Sequence, residues 1–305
     1  MTGRGREGSA GGPRNGRRGI DSPGVDARAV PIGRRLGLTL AVASLLGVLA
    51  FGWPLLVGEG AVLSDATSAP LVLGLVVAAA LAVLGVGFGD GGIDVKAIAV
   101  LGLLTAIGAI LRPLAAGTGG IETVFVLIVL GARVFGPGFG FLLGTTTLLA
   151  SALLTGGVGP WLPFQMLGAG WVGLGAGLLP RRARGVGELA MLAGYGALAA
   201  LGFGVLLNLS FWPFLLGTAT EISFVAGDPV AENVRRFVLY SLTTSLPWDL
   251  GRLITTAAGI AVAGYAVLAT LRRAARRAAF GPPAEPVPPR LTTAGAPPPT
   301  GPADR

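Results

Sequence analysis

The sequence predicts an all-α, polytopic membrane protein with about eight transmembrane helices. More than half of the 305 residues are hydrophobic and 12% are charged. Apolar runs of about twenty residues recur, and a helix of that length crosses ~30 Å of hydrocarbon. The runs are continuous rather than alternating, which excludes a membrane β-barrel, and no polar face balances them, which excludes a soluble fold.

The types of polar residue in the chain exclude several kinds of catalytic and metal-binding site. The chain contains no histidine and no cysteine, so imidazole metal sites, thiolate chemistry and disulfides are excluded. The net charge of +8 is almost entirely arginine. These arginines concentrate in the two tails and in one short loop, which is typical of a topology signal rather than of nucleic-acid binding.

The N-terminal third of the sequence is predicted to form a disordered tail and two membrane-spanning helices. Residues 1–35 are rich in Gly and Arg and predict a disordered cytoplasmic tail. Residues 36–95 predict two spans, at 36–57 and 70–88. The connection between the spans is acidic, which favours the outside, and 89–96 returns on the cytoplasmic side.

The third and fourth spans are predicted at 97–111, ended by Arg112-Pro113, and at 122–135. Gly102 with Ala106, and Thr105 with Ala109, are small residues at a spacing of four. Such a face allows another helix to approach closely, so these residues are candidates for packing against a partner helix.

The fifth and sixth spans are predicted at 138–155 and 163–179. A loop rich in Gly and Pro joins them and carries Trp161 and Gln165. Its backbone cannot be paired in lipid, so it must face water or line a protein cavity. Interfacial anchoring is the alternative role for Trp161.

The last two spans are predicted at 188–209 and 247–271, with a short interfacial helix at 234–246 between them. Residues 272–305 are basic and then Pro-rich, which predicts a second disordered cytoplasmic tail. Eight spans place the Arg-rich segments 1–35, 181–184 and 272–277 on one side. We therefore expect both termini in the cytoplasm.

Polar side chains collect at the opposite ends of the last six spans and form the candidate substrate site. Asp249 and Arg252 lie three residues apart and share a helix face, where they can line a cavity or neutralise each other. Arg112 and Glu122 bracket one loop and can pair or meet a solute. The candidates are Arg112, Glu122, Trp161, Gln165, Asn208, Trp212, Trp248 and Asp249.

No nucleophile–base set, metal cluster or phosphate loop is present in the sequence, so we expect neither an enzyme nor a cofactor. A binding and transport subunit is the favoured hypothesis. An ion-coupled secondary transporter is the main alternative, although no midplane acidic residue or inverted repeat supports it clearly. An integral membrane enzyme is the least favoured.

Residues 96–271 resemble the substrate-binding (S) component of energy-coupling factor (ECF) transporters, the ABC systems for vitamin uptake. The resemblance is carried by ARVFGPGFGFLLG at 132–144, SALLTGGVGPWLPFQMLGAGWVGLGAGL at 151–178 and SLPWDLGR at 245–252. It implies a six-helix core in the cell membrane that captures a micronutrient from outside. The two helices before residue 96 are additional to that core.

The same resemblance implies partners and a binding region. The partners are a membrane coupling (T) subunit, which often docks on an AxxxA motif, and cytoplasmic ATPase subunits. Here Gly102/Ala106 and Thr105/Ala109 stand in place of an exact AxxxA. Loops 112–122, 156–165 and 212–247 would close over the substrate. The sequence leaves the ligand and its charge open among cobalamin precursors, flavin-like and thiamine-like compounds.

Overall fold

The computed structural model describes residues 32–56, 69–89, 93–114, 119–215 and 220–278. Within these ranges the regular structure is entirely helical, which confirms the predicted fold class. Most of both predicted tails and most of the first interhelical loop lie outside the described residues. The helices are α1 (Arg34–Leu56), α2 (Ala69–Gly89), α3 (Val95–Leu114), α4 (Val124–Phe135), α5 (Pro137–Thr155), α6 (Leu162–Leu178), α7 (Gly185–Leu215), α8 (Val230–Tyr240) and α9 (Leu246–Ala278).

The described helices have the dimensions and composition of membrane spans. By length and hydropathy, α1, α3, α5, α7 and the continuous segment Val230–Ala278 can each cross a bilayer. A shorter apolar stretch lies within α2 at Gly74–Val86, and α4 is a second one. The chain is therefore a multi-pass membrane protein.

Several helix ends differ from the predicted span limits. Helix α3 continues through Arg112 and Pro113, and α7 continues through Pro213 to Leu215. Helix α8 begins four residues earlier than predicted, and a π-helical turn at Ser241–Ser245 joins it directly to α9. Helix α9 also includes 272–278, because Ala and Arg favour helix beyond the apolar region.

Glycines set the contact between antiparallel α5 and α6. A Cβ at Gly173 would collide with the carbonyl of Gly140, and a Cβ at Gly144 would collide with the carbonyl of Ala169. The two backbones therefore lie in direct contact along the centre of the core. Small residues permit this approach, which van der Waals packing stabilises where lipid removes the hydrophobic driving force.

A tight turn between α4 and α5 fixes the entry to this pair. Gly136 has a φ of 99°, which favours glycine, and Pro137 begins α5. Proline suits the first helical turn because its missing N–H has no partner there.

Helix α1 packs against the six-helix core rather than standing apart. The indole N–H of Trp171 in α6 donates to Ser44 Oγ over 2.9 Å. Phe51 packs edge-on against Phe164 with ring centroids 5.0 Å apart. Near the end of α1, the Trp53 indole N–H donates to the carbonyl of Ser210 in α7 over 3.3 Å. The N-terminal pair thus supports one side of the core.

Candidate functional site

A cavity of about 470 Å³ opens at one end of the core. It is formed where α3 and α5 end, where α4, α6 and α9 begin, and beside the C-terminal half of α7. This is the end to which loops 112–122 and 156–165 belong. The lining residues are Arg112, Pro113, Gly120, Ile121, Glu122, Ser151, Thr155, Gln165, Phe203, Leu207, Trp248 and Arg252.

Arg112 is held in the cavity by neutral acceptors. Its Nη2 donates to Gln165 Oε1 over 3.1 Å, and its Nη1 lies 3.5 Å from Ser151 Oγ. Among the described residues no carboxylate forms an ion pair with it. A guanidinium has five N–H donors, and these two contacts do not use them all, so Arg112 has donors left for a solute.

Arg252 ties together the other wall of the cavity. Its Nε donates to Glu122 Oε2 over 2.6 Å, which links α9 to the start of α4. Its Nη1 donates to Asp249 Oδ1 over 2.8 Å. The guanidinium carbon also lies 5.6 Å from the centroid of Phe203 in α7. Two carboxyl groups thus share this one guanidinium.

The possible pairing of Arg112 with Glu122 is not what the structure shows, because each has other partners. The possible pairing of Asp249 with Arg252 is present. Asn208 completes the group by donating its Nδ2 to Asp249 Oδ2 over 3.4 Å. The cavity therefore has Arg112 on one wall and the ion pair of Arg252 with Glu122 on the other.

The loop before α4 seats closely on the start of α9. Gly120 has a φ of 78°, and a Cβ there would collide with the carbonyl of Trp248. Glycine at this position therefore permits the loop and the helix to touch. The contact brings Ile121 and Glu122 of the loop into the lining beside Trp248 and Arg252.

The three candidate tryptophans have different locations. Trp248 is 46% exposed and lines the cavity. Trp161 is 44% exposed, but its indole N–H donates to the carbonyl of Gly157 within its own loop, and it is not a lining residue. Trp212 is fully buried away from the cavity and donates to the carbonyl of Ile222 over 2.7 Å.

Of the predicted candidates, the structure places Arg112, Glu122, Gln165 and Trp248 in the lining. Asp249 lies behind them and accepts from Arg252, and Asn208 donates in turn to Asp249. Trp161 and Trp212 lie elsewhere, because one closes its own loop and the other anchors an aromatic cluster with Phe224 and Tyr240.

The prediction omitted several lining residues. Ser151 is fully buried and is one helical turn before Thr155 in α5, so the i, i+4 spacing of two hydroxyls was a usable signal. Phe203 and Leu207 carry no such signal, since they belong to a uniformly apolar stretch of α7.

The two small-residue pairs of α3 face in different directions. Gly102 and Ala106 are exposed, and a Cβ at Gly102 would meet no atom within 4 Å. Thr105 shares a hydrogen bond of 2.8 Å with Thr146 of α5, and Ala109 is buried. The first pair is therefore open to the surroundings, and the second packs within the chain.

The fold and this cavity define a polytopic α-helical membrane protein with a polar chamber of solute size at one end of a six-helix core. The family model described as the substrate-specific component of ECF transporters matches residues 96–270, more than half of the chain. The chain belongs to this family, which confirms the resemblance stated above. No curated protein and no solved structure matches the chain.

Membership of this family indicates the type of protein and its partner subunits. The family consists of transporter components and is not an enzyme family. Such components associate with an ECF module of a T subunit and ATPase subunits. Helices α1 and α2 precede the matched region.

Proposed function

We propose that this chain captures a micronutrient from outside the cell and presents it for ATP-driven uptake by separate subunits, without catalysing a reaction itself. The observation that carries the proposal is the polar cavity at the end of the core opposite the Arg-rich segments 181–184 and 272–277. The positive-inside rule puts those segments in the cytoplasm, so the cavity opens outward.

The cavity chemistry suits a compact, flat and polar ligand. Its volume of about 470 Å³ lies in the range of small-molecule sites. The half-exposed ring of Trp248 offers a face for stacking. Arg112 can receive an anionic or carbonyl group, and Glu122 at the other wall can accept a hydrogen bond from a donor group. A heterocyclic vitamin with polar groups at both ends matches these features.

The exposed face of α3, which is turned away from the rest of the chain, supports docking to a coupling subunit. Gly102 and Ala106 leave a shallow strip beside the row formed by exposed Leu103 and Ile107. A transmembrane helix of the T subunit can approach this strip closely, as small residues allow in membranes. ATP hydrolysis then occurs in cytoplasmic subunits, and the chain resides in the cell membrane with both termini inside.

A binding assay on the purified protein in nanodiscs tests ligand capture. Cobalamin precursors, flavins and thiamine compounds are screened by a shift of the melting temperature and then by calorimetry. We expect Arg112→Gln and Gln165→Ala each to weaken the affinity of the selected compound by about tenfold, because a hydrogen bond to a charged group is lost.

Trp161→Ala is the matched control, since Trp161 lies at the same end but outside the lining. It should leave the affinity within about twofold. Equal weakening in all three variants would contradict the assignment of the cavity as the binding site.

Co-purification in mild detergent tests the transport role. The wild-type protein should bring down a T subunit and ATPases, whereas Ala106→Leu, which fills the strip on α3, should reduce their recovery. Val262→Leu, at an exposed position on α9, serves as the control. Uptake by the chain alone in liposomes, driven by an ion gradient, would contradict the proposal and favour a secondary transporter.

A further inference from the structure

A second cavity, of about 260 Å³, lies at the opposite end of the molecule. One wall is the start of α7, with Gly185, Glu188 and Leu189. The other wall is the end of α9, where Arg272, Arg273 and Arg276 line the opening. None of these residues takes part in the cavity described above.

The acidic residue in this second cavity is already neutralised. Glu188 is buried, and its Oε1 accepts from Arg133 Nε and from Arg272 Nη2, both over 2.7 Å. Arg133 is held in place by the carbonyls of Leu179 and Pro180, each 3.1 Å from its Nη1. Glu188 is therefore already paired with two arginines, and the other arginines of the lining, Arg273 and Arg276, are not its partners.

Arg273 and Arg276 are exposed, and neither forms an ion pair with an acidic group in the described part of the chain. The first amides of α7, which begins at Gly185, add the positive end of a helix dipole beside them. Two unpaired guanidinium groups and a helix N-terminus at the rim of one cavity match a phosphate group.

Exposed apolar residues of α9 lead from its membrane-spanning part to the arginines of the cavity. Tyr265, Ala269, Arg272 and Arg276 follow one face of α9 at helical spacing, and Tyr265 is 73% exposed. Seven residues of helix separate Tyr265 from Arg272, about 10 Å along the axis. This face of α9 therefore has apolar residues at one end, where an acyl chain could lie, and arginines at the other end, where an anionic lipid head could bind.

We propose that this cavity binds the phosphate of an anionic phospholipid from the leaflet at this end, with an acyl chain along Tyr265 and Ala269. Soluble phosphate has the same anionic group as the lipid head but no acyl chain that could contact the apolar residues Tyr265 and Ala269. The site is separate from the first cavity, which is lined by Arg112, Glu122 and Trp248 and is called the solute cavity from here on. It does not depend on the proposed transport role.

Native mass spectrometry of the full chain tests the proposal with phosphatidylglycerol as the probe and phosphatidylcholine of the same acyl composition as its neutral counterpart. Arg273→Gln combined with Arg276→Gln removes both free cations. At roughly fivefold per arginine near a membrane surface, we expect phosphatidylglycerol affinity to fall by about 25-fold.

Arg182→Gln combined with Arg184→Gln is the matched control, because it removes the same charge at the same end but outside the cavity. It should retain binding within about threefold, and wild-type protein should prefer phosphatidylglycerol over phosphatidylcholine. An equal loss in both double variants, or equal binding of the two lipids, would overturn the proposal. Displacement of the lipid by millimolar inorganic phosphate would assign the site to soluble phosphate and would also overturn it.

Discussion

Among single residues, Arg252 has the largest role in holding the solute cavity together. It contacts Glu122 before α4, Asp249 on its own helix and the ring of Phe203 in α7. Asp249 and Arg252 are also packed against Gly204, where any Cβ would collide with the Asp249 carboxylate. One side chain thus joins three helices at the mouth of the core.

Replacement of this residue, Arg252→Gln, should lower the free energy of unfolding by about 2–4 kcal/mol, because two largely buried carboxylates lose their shared cation. Thermal unfolding in detergent measures the effect as a lower melting temperature. Addition of Glu122→Gln to this variant should recover part of the loss, since one unpaired charge is then removed.

Arg235→Gln provides the comparison, because the side chain of Arg235 is 58% exposed and pairs with Glu232 on the surface of α8. Exposed pairs contribute about 0–1 kcal/mol, so its melting temperature should stay close to that of the wild type. Similar destabilisation in both variants would contradict a central role for Arg252.

Residue type and position in the sequence were enough to predict the polar end of the core and the possible pairing of Asp249 with Arg252, but not most of the other contacts there. Trp161 and Trp212 are aromatic residues of the type that stacks on ligands, but neither lines the cavity, and each donates a hydrogen bond to a nearby carbonyl. The partners of Arg112 and Glu122 could not be predicted, because pairing depends on how α4, α6 and α9 are placed around each other.

Among the helices, the antiparallel pair α5 and α6 is the most closely packed. Gly173→Ala should therefore separate their backbones, since the new methyl group collides with the carbonyl of Gly140. Overpacking costs about 1–3 kcal/mol, and more where backbone must move. We expect a lower melting temperature and less folded protein in membranes.

Gly194→Ala is the matched control within α7, because Gly194 is exposed and a Cβ there meets no atom within 4 Å. It should be neutral or slightly stabilising, as alanine favours helix over glycine. Unchanged stability of Gly173→Ala would show that the two backbones do not touch in the membrane.

The N-terminal helix α1 is a structural part of the molecule. Phe51→Ala should remove contacts with Phe164 and Trp171 and cost about 3 kcal/mol, measured by thermal unfolding. Leu45→Ala on the exposed face of α1 should cost less than about 0.5 kcal/mol. Equal, small effects would indicate that α1 does not stabilise the core.

Hydropathy predicted that each helix exists, but it predicted the helix ends less well. Apolar runs report transfer into lipid, whereas α7 and α9 continue as helix for 31 and 33 residues, past the ends of their predicted spans. The π-helical turn at Ser241–Ser245 has no hydropathy signal.

For the whole molecule, the two ends differ in charge, and this difference predicts its orientation in the membrane. The solute cavity contains Arg112 and the ion pair of Arg252 with Glu122, whereas the other end carries Arg182, Arg184, Arg273 and Arg276 at its surface. Basic loops are retained in the cytoplasm during insertion. The solute cavity should therefore face outward.

Single cysteines can test this orientation without background, because the natural chain contains none. Val158→Cys places a thiol at an exposed position between α5 and α6, and Arg182→Cys places one between α6 and α7. A membrane-impermeant maleimide applied to intact cells should label the first variant. It should label the second after permeabilisation, which also serves as the control that the thiol is reactive. The reverse pattern would place the solute cavity in the cytoplasm and would contradict capture of a ligand from outside, whatever that ligand is.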